Sequence, residues 1–145
     1  MRIFVIVTGL LLCIGIAVFV FLPGKNADKF TDIIDLQSPV SKSHLYIKKK
    51  IWGMTGEDLL ILISNSRAKT YSMDLQTEMA YYRVKPFLYK FEADTLSVYT
   101  LKTVPVPPGF YSDIKVVQHV MDSVALHALL EHGGYKKLGM QVVSE

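Results

Sequence analysis

Residues 3–22 (IFVIVTGLLLCIGIAVFVFL) run for twenty positions without a charge and stop at Pro23-Gly24-Lys25. At about 1.5 Å per residue, a helix of that length matches the roughly 30 Å hydrocarbon core of a bilayer, where backbone polar groups must be satisfied within the segment itself. We therefore expect a transmembrane signal-anchor helix within residues 1–22, with membrane lipid as its partner through residues 3–22. The other classes of apolar amino terminus fit less well. A cleaved signal has an apolar core of about 7 to 15 residues ending at small side chains. Gly15-Ile16-Ala17 offers such a site, but cutting there would leave Val18-Phe19-Val20-Phe21-Leu22 as the new terminus. Lipidation at Cys13 would place Leu12 where a small residue belongs.

Orientation follows from the flanks. Arg2 precedes the span, and Lys25 and Lys29 follow it, so Lys and Arg alone nearly tie under the positive-inside rule. A two-residue tail with one basic side chain is the usual start of an export signal, which predicts a single-pass protein whose C-terminal domain is extracytoplasmic. Cys13, the one cysteine, falls inside the span, so no disulfide can staple the rest of the chain.

Setting Arg2 aside with the span leaves 15 Lys and Arg against 13 Asp and Glu, a net of +2. That near-neutral balance gives no reason to expect a nucleic-acid partner, which needs a concentrated basic face. Residues 23–43, with Gly24, Asn26, Ser38, Pro39, Ser41 and Ser43 around residues 30–34, read as a tether with at most one helical turn. About 100 residues remain, enough for one small domain with its own core over 44–145.

Within that domain the dominant period is two. Residues 44–52 alternate Leu45, Ile47 and Ile51 with Tyr46, Lys48, Lys50 and Trp52, and residues 59–63 (LLILI) are apolar throughout. The pair predicts a hairpin whose second strand is covered on both faces. Further strands are expected over 78–84, 87–92, 95–102 and 114–121, joined as an antiparallel meander, with Phe87, Tyr89 and Phe91 sharing one face. Val104-Pro105-Val106-Pro107-Pro108-Gly109 must lie at an edge or in a loop, because proline lacks the amide hydrogen that a ladder uses. A helix is expected at about 122–132, capped by Asp122 or Ser123 and stopped by Gly133-Gly134, with residues 135–143 returning as a last strand. The fold class is mainly β with one late α-helix, a small antiparallel sheet, sandwich or barrel-like domain behind the transmembrane helix.

The candidate chemistries are weak. His127 and His132 flank Glu131 in an arrangement one residue longer than the His-x-x-Glu-His zinc motif. At about 100° per residue the two imidazoles lie roughly 140° apart around a helix, so we expect no metal there. Gly53-Met54-Thr55-Gly56 imitates the RNA-clamping loop of KH modules, but it joins strands rather than helices. There is no nucleophile elbow, no phosphate-binding loop and no paired cysteines. We expect a domain that is not an enzyme and carries no cofactor. Tyr81, Tyr82, Phe87, Tyr89, Phe91 and Tyr99 are expected in core and cross-strand packing.

What remains is a surface. Tyr46, Lys48, Lys50 and Trp52 share one strand face and combine aromatic area with charge, the mixture enriched at contact sites, so we expect a protein-protein interaction surface there. The lysines also suit a solvated edge strand, since they discourage pairing with another chain. The expected function is a membrane-anchored, non-catalytic β domain that engages a protein partner, as an envelope-assembly accessory or inhibitor does. The alternative is a small-ligand-binding domain with an aromatic-lined pocket.

Overall fold

A computed structural model describes residues 29–53 and 58–143. The expected anchor helix, the start of the tether and the Met54-Thr55-Gly56 part of the hairpin loop lie outside the described residues. Among those described, no helix is long and apolar enough to cross a membrane.

The described residues are mainly β, with two small sheets, one antiparallel and one mixed, and one short helix. The first sheet has the order β1(Asp32–Gln37), β2(His44–Trp52), β3(Asp58–Ser64), β4(Met79–Tyr82), with every neighbour antiparallel. The second has the order β7(Lys115–Val120), β6(Thr95–Thr100), β5(Leu88–Glu92), β8(Gln141–Val142). Helix α1(Ser123–Glu131) and the single turn α2(Gly134–Lys137) separate β7 from β8.

Alternation in β2 and β3 sends Leu45, Ile47, Leu59, Ile61 and Ile63 to one face, where they meet Met79 and Tyr81 of β4 and Leu36 of β1. From the second sheet, Tyr89, Leu96 and Val98 join the same core cluster with Phe87 just ahead of β5, and Phe91 and Val116 pack at its margin. Tyr81 meets Phe87 edge to face at 5.0 Å between centroids. Its hydroxyl donates to Gln118 Oε1 at 2.8 Å. Gln118 then closes a second pairing, accepting from Val104 N at 2.8 Å and donating to Val104 O at 2.9 Å. One amide thus fixes the β4 tyrosine and the start of the proline-rich loop.

Three expectations are corrected. Residues 32–37, expected in the tether, form β1, paired with β2 from Asp32↔Lys49 to Gln37↔His44. The turn between them is built by Ser38, whose hydroxyl accepts from Val40 N and Ser41 N, which makes an extended strand and a tight return rather than a helical turn. The strands do not form one meander, because β4 and β5 belong to different sheets and β7 runs parallel to β6. A parallel neighbour needs a long crossover, and residues 101–114, proline-rich and without strand, provide it. Residues 135–143 are mostly not a strand: α2 occupies their start, Gly139 turns the chain at φ 72°, and only two residues pair.

This short strand and the residue after it, Val143, have disproportionate reach. β8 pairs with β5, Val143 N donates to Phe87 O at 3.0 Å, and Lys49 Nζ of the first sheet donates to Val143 O at 3.0 Å. α1 begins where Asp122 Oδ1 accepts from Ala125 N at 2.9 Å, and it buries Leu126.

Candidate functional site

The surface expected at Tyr46, Lys48, Lys50 and Trp52 is where the structure departs most from the sequence reading. The four do share one face of β2, yet β2 lies inside its sheet and Tyr46, Lys48 and Lys50 are buried. What covers the two lysines is a strap, residues 65–78, together with Lys29 and Phe30. Lys48 Nζ sits 3.2 Å from Glu78 Oε1 and 5.2 Å above the centre of the Phe30 ring. Lys50 Nζ donates to Lys29 O at 2.8 Å and lies 4.9 Å from the Tyr71 ring centre. Phe30 N donates to Lys69 O at 3.2 Å, Lys29 bridges to Thr70, and Phe30 meets Tyr71 edge on. Buried lysines are tolerated when they are paired or seated on ring faces, and both conditions hold here. The strap also carries an Asp74 turn, in which the Gln76 backbone N–H and the Thr77 hydroxyl hold the Asp74 carboxyl below its ordinary range.

Trp52 differs from its three neighbours. It is half-buried and tilted against Tyr82, whose ring also carries the Arg83 guanidinium at 5.2 Å. Arg83 Nε and Nη2 donate to Asp58 Oδ1 at 2.8 and 2.6 Å, and Tyr82 Oη adds a third donor at 3.1 Å. The Arg83 bonds, with the tyrosine hydroxyl and against some desolvation, lower the Asp58 pKa. This corner ties the start of β3 to the end of β4 beside Trp52.

The expected aromatic group divides. Tyr81, Phe87 and Tyr89 are buried in the core, where desolvation raises the pKa of Tyr81 and, with help from Asp32, that of Tyr89. Tyr82 is exposed, and Tyr99 stacks on His119 at 4.7 Å on the outer face of the second sheet. His127 Nε2 and Glu131 Oε1 form an exposed pair at 3.1 Å, one turn apart on α1. Among the described residues no three His, Cys, Asp or Glu side chains are grouped so as to hold a metal ion.

The feature that sequence reasoning missed lies beside that helix. An open groove of about 500 Å³ is lined by Val124, Ala128, Leu130 and the buried Leu126 of α1 and by Pro86, just before β5, and Leu101, just after β6. His127, Glu131 and Ser123 supply its polar rim. Val124 is 77% exposed. Of the helix leucines Leu126, Leu129 and Leu130, only Leu126 is fully buried. The usable signal was Val124, which shares the polar side of the helix with Ala128 and Glu131 and has no reason to be apolar there if that side faces only water.

No family model, no curated protein and no solved structure matches the chain.

Proposed function

We propose that this protein is a membrane-anchored, extracytoplasmic interaction domain without a catalytic centre, its two sheets packed as a sandwich and its partner received by the α1 groove. The observation that carries this reading is the contrast between a filled aromatic core and an exposed apolar groove with a thin polar rim. A cavity among Tyr81, Phe87 and Tyr89 would have favoured the small-ligand alternative; instead those rings occupy the core. An apolar segment of a partner protein would cover Val124, Leu101 and Leu130 while the rim gives direction through His127 and Glu131. A volume of about 500 Å³ also suits a small apolar molecule, and that is the second reading.

A photo-crosslinking side chain at Val124 in the full-length protein, irradiated in its native membrane, tests the proposal. A single protein adduct is expected, abolished by Leu101→Glu and absent when the same side chain replaces Lys102. No adduct at Val124, or equal adducts at both positions, would reject the groove as the partner site. A reporter fused at Glu145 and active on one side of the membrane tests the address separately.

A further inference from the structure

The strap that buries Lys48 and Lys50 exposes cations of its own. Residues 65–73 carry Arg67 and Lys69 and no acidic side chain, and both cations are exposed, as is Lys29, which lies against the same loop. Among the described residues none of these three has a carboxylate within ion-pair distance. Tyr71, half-buried between Phe30 and the Lys50 ammonium, adds an aromatic side chain of the kind that settles at headgroup level.

Chain length decides what this surface can meet. Six residues separate Leu22, the last of the apolar stretch, from Lys29, so across the seven steps the two are at most about 25 Å apart even if the chain between them is fully extended. The strap is bonded to Lys29 and Phe30 and shares that limit. We infer that Lys29, Arg67 and Lys69 form the membrane-facing side of the domain and rest on anionic lipid headgroups, an inference that builds on the anchor proposed above. The contact orients the domain with the strap toward lipid. Each cation contributes about a fivefold preference for an anionic over a neutral surface, screened by salt.

The test uses the full-length chain with Cys13→Ser and a fluorophore on Ala68→Cys, reconstituted in vesicles of phosphatidylcholine alone or mixed with phosphatidylglycerol. A quencher on the lipid headgroup reads proximity of the strap. Quenching should be strong in the mixed vesicles, weak in neutral ones, and lost in about 1 M salt, where the screening length falls to roughly 3 Å. It should also be lost in Arg67→Gln/Lys69→Gln, with an unchanged urea midpoint to show that the fold is intact. Equal quenching in the two lipids, or no loss in the double variant, overturns the inference. Retention on neutral vesicles after alkaline washing reports the anchor alone. A chain that leaves neutral vesicles yet needs Arg67 and Lys69 to float with anionic ones would remove the anchor and keep the lipid contact.

Discussion

Lys48 and Glu78 meet beneath the strap with Nζ 3.2 Å from Oε1 and side chains only 1% and 8% exposed. The second carboxylate oxygen, Oε2, accepts from Asp74 N at 3.1 Å, so the pair joins the middle of the first sheet to the turn that ends the strap. Desolvating two charges is costly, and the attraction between them offsets that cost only while both are present.

Lys48→Ala should therefore destabilise the protein by about 3 to 5 kcal/mol, because it leaves Glu78 buried with no countercharge. Lys48→Met/Glu78→Gln, which removes both charges and keeps an acceptor for Asp74 N, should recover most of that loss. Urea midpoints of the full-length protein in mild detergent measure both. A double variant no more stable than Lys48→Ala would show that the charges are not what matters.

Ile61 lies at the centre of β3 with no exposed surface, whereas Lys102 is exposed at the start of the crossover. Ile61→Ala should cost about 2 to 5 kcal/mol through lost burial and the cavity it leaves. Lys102→Ala should change little. Near-equal urea midpoints would remove Ile61 from the core.

Gln118 holds three partners at once, so Gln118→Leu strands the Tyr81 hydroxyl and both polar groups of Val104. The expected cost is about 1 to 3 kcal/mol, and Tyr81→Phe in the Gln118→Leu background should restore part of it by removing one orphan. Chemical denaturation of the two variants decides, and a Tyr81→Phe change that adds to the loss would contradict the hydrogen-bond account.

Asp58 and Asp74 both have pKa values lowered below 3.8 in the folded chain. A lowered folded-state pKa means the unfolded chain binds protons first, so this stabilisation is present above about pH 4 and is lost as pH falls through the folded values. Asp58→Asn/Asp74→Asn should flatten the acid side of the stability profile. Unfolding midpoints followed from neutral to about pH 2 check this, and identical acid slopes with and without the substitutions would refute it.

The β2–β3 hairpin was legible because alternation and an all-apolar run are local signals, and Phe87, Tyr89 and Phe91 point to the core as their spacing implied. β1 was not legible. Asp32 and Asp35 break its apolar pattern, and its extended form depends on a partner strand rather than on its own propensity. Alternation likewise put Lys48 and Lys50 on one face correctly but could not say what covered that face. The cover is the polar strap, which contains no apolar run to announce that it packs on anything. The groove stayed hidden for the opposite reason, since a leucine stripe looks the same whether its far side meets a sheet or stands open.

The stitch at residues 141–143 also sets a timetable for folding during synthesis. Lys49 and Val143 are 94 residues apart. At about 5 to 20 residues per second, the hairpin that contains Lys49 waits roughly 5 to 20 s before the residue that ties it to the second sheet exists. Through that interval the core around Leu45, Ile47 and Ile61 lacks Val143, its last member in chain order, and the two sheets lack the bond that joins Lys49 to it.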